Sequence, residues 1–318
     1  MSGQVPALDV KTVDPTLVAG HRSSLWRDTL RGILRQRSAQ AGVVILGFLL
    51  LIAVFANVVA PFGSEQDLRY PPISEQVNRL APPCIHLLGC DTSLPQHAFG
   101  VDGNFFDVFS RVVYGARISL FVGFVTVGFA IVIGTLIGAV AGYAGGWVDN
   151  LFMRLMDVVL SFPSLILAIA IVTVIGSGLI QAQLAIGIVA IPIYARLMRA
   201  SVLSIKERDF VVASRALGES DRGILFRRIL PNALTPLIVQ GTLGIGGAVL
   251  EVAALSFLGL GAQPPTAEWG SMIGLNRNFI FNAPHLIIFP GIALSLTVLG
   301  FNLLGDGIRD ALDPRLNR

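Results

Sequence analysis

The sequence predicts an all-α polytopic membrane protein with six transmembrane helices. Only 14% of its 318 residues are charged, whereas soluble domains carry about 25%, and its mean hydropathy is +0.73. Six windows also approach the roughly 20 apolar residues that a helix needs to cross the hydrocarbon core. These spans cover about residues 41–60, 118–143, 152–175, 179–197, 234–258 and 286–304.

The distribution of lysine and arginine predicts the orientation of the spans, because basic loops remain in the cytoplasm. Basic residues concentrate in residues 1–40 and between spans four and five, whereas acidic residues dominate the loop 61–117. An even number of spans places both termini on one side. We therefore expect cytoplasmic N- and C-termini, with tails at 1–40 and 305–318, and an extracytoplasmic loop at 61–117.

The N-terminal tail contains an amphipathic pattern just before the first span. Trp26, Leu30, Ile33 and Leu34 recur at i, i+4, i+7 and i+8, with arginines between them. This spacing is typical of one apolar helix face. It predicts a helix that lies in the cytoplasmic membrane interface, with an ordinary basic juxtamembrane segment as the alternative.

Two acidic residues fall within the predicted spans. Glu251 lies in the Gly-rich fifth span (GTLGIGGAVLEVAALSFLGLG), and Asp157 lies near the cytoplasmic end of the third. Burying a lone carboxylate in a bilayer costs several kcal/mol, so Glu251 should face water, a partner subunit or a pore. Packing at a subunit interface and lining a translocation pathway both remain open for these two residues.

Cys84 and Cys90 lie close together in the polar loop after the first span. An oxidising compartment would favour a disulfide between them. Free thiols are one alternative. A metal site that uses His86 and His97 is another, but it would need more ligands at usable spacing, so no metal site is expected.

The motifs of several enzyme classes are missing from the sequence. A phosphate-binding GxxxxGK[ST] loop needs a lysine after glycine, and the two lysines, Lys11 and Lys206, follow valine and isoleucine. HExxH and GxSxG motifs are absent as well. We therefore expect a chain that is not an enzyme by itself and that binds no cofactor.

The segment at about 205–231 interrupts the apolar spans with charged residues. Phe210, Ala213, Ala216 and Leu217 follow the spacing of one helix face. Gly218 should end that helix, and Ser220 or Asp221 can cap a second helix before Pro231. Two short helices joined at a glycine would form a cytoplasmic knob that inserts into another protein. A long amphipathic loop on the membrane surface is the alternative.

The same segment resembles the EAA loop of ABC importer membrane subunits, which reads EAA, three residues, Gly, and then I-x-LP. Ala213, Gly218, Leu230 and Pro231 fall in register with that pattern. Val212 stands where the pattern has glutamate, and Ser214 stands where it has the second alanine. Ile229 lies one place later than the pattern. By this resemblance, coupling to an ATPase would use Ala213, Ser214, Arg215, Ala216, Leu217, Gly218, Ile229, Leu230 and Pro231.

The resemblance extends over about four-fifths of the chain. The stretches at 97–120 (HAFGVDGNFFDVFSRVVYGARISL), 141–165, 255–273 and 301–316 are similar, in the correct order, to the second permease subunit of dipeptide, oligopeptide and nickel ABC importers, a dipeptide-permease C-like protein. This similarity implies the type I ABC importer permease fold, with a five-helix core at 118–304. It also implies a loop at 259–284 that faces the outside.

The resemblance also implies a function and a set of partners. Two such permease subunits form one pathway as a heterodimer in a prokaryotic plasma membrane. Two cytoplasmic ATPase subunits supply ATP and Mg chemistry, and an extracytoplasmic binding protein delivers the substrate. Short peptides are the expected substrate, with nickel or another small solute as alternatives. A self-contained secondary carrier or channel is the alternative from another class.

Overall fold

The computed structural model describes residues 36–62 and 79–312, and these residues are mostly helical. The amphipathic pattern of Trp26 to Leu34 lies outside the described residues. The helices are α1 (Arg37–Val54), α2 (Ala56–Val59), α3 (Val108–Ala144), α4 (Gly146–Leu160), α5 (Ser164–Ile175), α6 (Leu179–Ile205), α7 (Asp209–Ala216), α8 (Asp221–Phe257), α9 (Trp269–Asn276) and α10 (His285–Leu312).

Five of these helices are long and apolar enough to cross a membrane, namely α1, α3, α6, α8 and α10. The pair α4–α5 passes the same test only when its two helices are taken together, and they are bent by 92°. The described residues contain no β-strand, only two isolated bridges. The all-α polytopic fold is therefore confirmed, with up to six spans.

The third span differs from the prediction of one continuous helix over 152–175. It is broken at Ser161, Phe162 and Pro163 into α4 and α5. Proline has no N–H to donate and disfavours a helical conformation at the residue before it. The amide N–H of Ser161 still donates to the carbonyl of Asp157 (3.0 Å), and a new ladder begins with Leu167 and Pro163 (3.0 Å).

The second span begins at Val108 and not near Ile118, and α10 runs to Leu312, beyond the predicted end at 304. The Asp107 side chain caps α3 by accepting from the Ser110 amide at 2.7 Å. The sequence prediction left residues 108–117 outside the span because they include polar residues. They are accommodated because Ser110 and Arg111 are buried against the neighbouring loops rather than exposed to lipid.

The expected second short helix of the knob does not exist as a separate element. It continues through Pro231 into the fifth span, so α8 is one helix from Asp221 to Phe257. Residues Ile224–Ile229 form π-helical turns, in which the Leu230 amide donates to the Leu225 carbonyl. The widened turns precede Pro231, which is the place where a regular helix would lose a hydrogen bond.

Helix α3 forms the centre of the bundle, in contact with α1, α6 and α8, and α10 packs against α1 and α8. Its closest neighbour is α6. Gly134, Gly138 and Gly142 recur every four residues on the face of α3 that contacts α6, and a Cβ at Gly134 would lie 2.8 Å from the Ile191 carbonyl oxygen. Small residues at this spacing allow two membrane helices to approach closely.

A leucine at Gly138 should therefore separate α3 from α6. Its Cβ would overlap the backbone carbonyl of Ala195, and overpacking of this kind costs about 1–3 kcal/mol or more. We expect Gly138→Leu to lower the thermal unfolding midpoint and the folded yield in detergent, measured by size-exclusion chromatography after heating. The control is Gly128→Leu in the same helix, where a Cβ meets no atom within 4 Å. Equal losses in both variants would contradict the close-packing account.

Candidate functional site

The described helices form a bundle with two ends of different character. At one end, the Cβ of Ala39 in α1 lies against Gly307 of α10, and Tyr143 of α3 contacts Asp221 at the start of α8. We call this the basic end. It carries Arg37, Arg154, Arg196, Arg199, Lys206, Arg208, Arg215, Arg222, Arg227, Arg228 and Arg309.

The α7–α8 knob (residues 209–223) projects from the basic end. Gly218 ends α7 with a φ of +80°, a left-handed conformation that residues other than glycine rarely adopt. Its amide donates to the Arg215 carbonyl at 3.0 Å, and the Glu219 amide donates to the Ser214 carbonyl at 3.1 Å. Ser220 then caps α8 by accepting from the Gly223 amide at 3.3 Å. The sequence therefore located both the turn and the cap.

The knob and the turns of α8 that follow it are anchored in the bundle on one side, whereas the other side of the knob is exposed. Val211, Ile224 and Ile229 are fully buried in the main apolar core. Phe210 and Leu217, which the sequence places on one helix face, point away from that core, and Leu217 is 86% exposed. An exposed apolar tip on a knob whose other side is anchored in the core is a surface suited to contact with another protein.

Polar contacts hold the knob against the bundle. Arg228 Nε lies 3.0 Å from Glu219 Oε2 and so ties the residue after Gly218 to α8. The Tyr143 hydroxyl donates to Asp221 Oδ1 at 2.6 Å and so joins α3 to the first turn of α8. Val212, where the EAA pattern has glutamate, is exposed and makes no such contact. The acidic group nearest to the turn is therefore Glu219, which follows the glycine.

The candidate residue Asp157 belongs to a pair of contacts between α4 and α6. Arg196 Nη2 lies 2.5 Å from Asp157 Oδ1, and both side chains are about half exposed. Asp149 accepts from Arg199 through both carboxylate oxygens, each at 2.5 Å. Asp157 therefore has a cationic partner within the chain and fixes the position of α4.

The candidate residue Glu251 lies elsewhere, on the face of α8 beside the break in the third span. It is half-buried, and the Ser164 hydroxyl donates to its Oε1 at 3.3 Å. Ser164 is the first residue of α5. The structure thus does not bring Glu251 and Asp157 together, and the contact with Ser164 depends on a break that the sequence prediction missed.

The opposite end of the bundle carries the loops at 79–107 and 259–284. Cys84 and Cys90 are joined by a disulfide, and Cys84 and His97 exchange backbone hydrogen bonds at 2.9 and 3.0 Å. Leu87, inside the disulfide loop, is 95% exposed. No group of three potential metal ligands occurs among the residues that the structure describes.

Arg111 links these two loops, and sequence reasoning had assigned it no role. Its guanidinium lies 3.3 Å from Asp102 Oδ2, 3.4 Å from the Thr266 carbonyl and 4.7 Å above the Phe106 ring. Asp102 Oδ1 also accepts from the Phe106 amide at 2.9 Å. The Trp269 indole adds a second link by donating to the Val112 carbonyl at 3.0 Å. The sequence signal that could have identified this cluster is an arginine, Arg111, placed just before a long apolar run.

Two carboxyls at this end are affected by their burial. Burial raises the pKa of the Asp107 carboxyl, although the Ser110 amide that it caps acts in the opposite direction. Burial likewise raises the pKa of the Glu268 carboxyl, which accepts from the Gly270 and Ser271 amides at 2.9 and 2.8 Å. Both groups cap helices, so their role in this structure is to fix the starts of α3 and α9.

Comparison with protein families accounts for this arrangement. Residues 134–318, more than half of the chain, match the model described as "Binding-protein-dependent transport system inner membrane component". This chain belongs to that family. Residues 24–83 separately match the "N-terminal TM domain of oligopeptide transport permease C". The resemblance inferred from the sequence motifs is confirmed.

Curated relatives match along most of this permease. It is 45% identical to the dipeptide transport system permease protein DppC of Alkalihalophilus pseudofirmus, over 92% of this chain and 91% of that one. It is 42% identical to the glutathione transport system permease protein GsiD of Pectobacterium atrosepticum, over the same shares of the two chains. The GsiD of Escherichia coli O157:H7 is 43% identical, again over 92% and 91%.

Solved structures of the MetNI methionine ABC transporter, in inward-facing conformations, share the fold of this permease. One matches with a TM-score of 0.53 at 22% identity, over 64% of this chain and 97% of that one. A second crystal form gives a TM-score of 0.52. The chain is thus an ABC importer permease, a multi-pass membrane subunit of a transport system rather than an enzyme. The family implies ATPase and binding-protein partners.

The Arg111–Asp102 pair provides a stability test for the loop end. Removal of one partner from a buried pair costs about 3–5 kcal/mol, and these two side chains are only 2% and 8% exposed. We expect Arg111→Met to lower the thermal midpoint strongly, and Arg111→Met with Asp102→Asn to recover part of the loss. The control is Arg196→Met, whose partner is exposed, so that its cost should stay within about 1 kcal/mol. Similar losses for the two single variants would contradict the assignment.

Proposed function

We propose that this permease forms half of the translocation pathway of an ATP-driven importer for short peptides. It couples to a separate ATPase through the α7–α8 knob. The names of its relatives support the substrate class, since they transport dipeptides and glutathione. The observation that carries the coupling role is the exposed Leu217 beside the left-handed Gly218, on a knob whose other side is buried.

The orientation is part of this proposal. The basic end faces the cytoplasm, because Lys and Arg are retained on that side of a bilayer. The start of α1 meets the end of α10 at Ala39 and Gly307, and α10 runs antiparallel to α8, with Gly305 beside Leu243 and Phe301 beside Gly246. The start of α1 and the end of α10 therefore lie toward the same end as the knob. Residues 1–40 and 305–318 then belong to the cytoplasmic side. The loops with the disulfide and Arg111 face the oxidising side, where a disulfide persists.

The partners follow from the surfaces that this chain leaves uncovered. A homologous permease subunit faces the exposed apolar surfaces of α5 and α8, on which Ile166 and Leu250 lie, and the pathway runs between the two subunits. Two cytoplasmic ATPase subunits use ATP and Mg, and one of them binds the knob. An external binding protein contacts the loops at the opposite end. The residues from Ala213 to Gly218 contact the ATPase, whereas Ile229, Leu230 and Pro231 transmit the contact into α8.

A charged residue at the tip of the knob tests the coupling surface. We expect Leu217→Asp to reduce the ATPase retained on the affinity-purified transport complex by at least tenfold. It should also abolish peptide-stimulated ATP hydrolysis, because an apolar contact is lost and a charge is buried. The yield of the permease in membranes should not change, since Leu217 is 86% exposed in this chain.

The matched control is Leu87→Asp, an equally exposed leucine in the disulfide loop at the other end of the bundle. This variant should retain the ATPase in full. ATPase retention by Leu217→Asp at the wild-type level would contradict the coupling role of the knob, and ATPase loss in Leu87→Asp would contradict the proposed orientation.

A further inference from the structure

Glu251 has no cationic partner among the residues that the structure describes. Four ion pairs occur in the described residues, and none of them involves Glu251. Their carboxylates belong to Asp102, Asp149, Asp157 and Glu219, and each is paired with an arginine. The contact of Glu251 is a neutral hydroxyl, that of Ser164. Acidic groups within membrane spans normally pair with a cation or face a water-filled cavity. The described residues thus supply no cation for Glu251, which leaves its carboxylate available to a cation from outside them.

Glu251 lies inside the membrane-spanning part of α8. The Gly178 amide donates to the Leu260 carbonyl at 3.0 Å, at the end of the bundle that carries the extracytoplasmic loops. Glu251 lies six residues before Phe257, the last residue of α8, which is a helical distance of about 9 Å. It therefore lies within the roughly 30 Å of hydrocarbon that a membrane helix crosses. A lone carboxylate at this depth is costly wherever lipid surrounds it.

The break in the third span makes this position tolerable for a carboxylate. Helix α5 starts at Ser164, so its positive N-terminal end lies beside the Glu251 side chain. The surrounding surface is apolar and not covered by this chain, with Phe162, Ile166 and Leu250 exposed. A Cβ at Gly247, one turn before Glu251, would meet no atom within 4 Å. Glu251 and Ser164 thus form one polar spot on an open apolar wall.

We propose that this spot binds the α-ammonium group of the transported peptide. The inference rests on the function proposed above and deepens it by assigning the group that the pathway recognises. An ammonium group has three donors, which the Glu251 carboxylate and the Ser164 hydroxyl oxygen can accept together. Dipeptides and glutathione both carry a free α-amino group, with an ordinary pKa of about 7.7–8.0. The apolar wall then accommodates peptide side chains of varied shape, while the charge of Glu251 fixes the amino-terminal end of the peptide.

The test uses the complete transport complex in sealed right-side-out membrane vesicles. The binding protein is added outside, and ATP is loaded inside. The probes are radiolabelled alanyl-alanine and N-acetyl-alanyl-alanine, which lacks the ammonium charge. In Glu251→Gln, which keeps the shape and the hydrogen bond to Ser164, we expect uptake of alanyl-alanine to fall at least tenfold. The ratio of free to acetylated peptide uptake should fall by the same factor. Glu251→Asp is the matched variant that keeps the charge, and its ratio should stay within twofold of wild type.

Peptide-stimulated ATP hydrolysis and recovery of the partner permease are measured in the same vesicles. Both should remain within twofold of wild type in Glu251→Gln, whereas a purely structural contact to a partner would lower them together with uptake. Unchanged alanyl-alanine uptake, an equal loss for both peptides, or parallel loss of ATP hydrolysis would each overturn the ammonium site. Wild-type vesicles that take up neither peptide would instead overturn the proposed function.

Discussion

The continuity of α8 is the constraint on which the rest of this permease depends. This helix runs from Asp221, in the knob, to Phe257, and it contains Glu251. Its length is about 54 Å. Two prolines, Pro231 and Pro236, would ordinarily interrupt it. The π-helical turns at Ile224–Ile229 accompany the first of them, as does the hydrogen bond that Asn232 Nδ2 donates to the Arg228 carbonyl (2.7 Å). A movement of the knob would therefore also move the helix that carries Glu251.

The helices other than α8 are held together by close packing and ion pairs. Close packing of α3 on α6 through Gly134, Gly138 and Gly142 leaves little freedom between those two helices. Arginine–aspartate pairs fix α4 on α6 at the basic end, and Arg111 joins the two loops at the other end. Near Glu251 the chain instead exposes an uncovered apolar surface. Rigid contacts and open surface thus occupy different sides of the molecule.

Sequence reasoning predicted the family, the number of spans and the turn at Gly218, because these depend on composition, hydropathy and local backbone preference. It failed where a tertiary contact decides the outcome. The start of α3 at Val108 depends on the burial of Arg111 between two loops that are distant in sequence. The break at Pro163 was visible as a proline, but the contact of Ser164 with Glu251 needs the 92° bend. The continuity of α8 through Pro231 contradicts the usual local effect of proline.

The most direct test of this account is a distance measured within α8 during the transport cycle. Spin labels at Arg222 and Leu258, on either end of the helix, are compared by pulsed electron paramagnetic resonance in the assembled complex, without nucleotide and with ATP trapped. A continuous helix predicts that the distance between the two labels is the same in both states, while the distance from either label to one on the partner permease changes. A change of several ångströms between the two α8 labels would mean that the helix bends at its prolines, and would contradict the transmission of knob movement to Glu251.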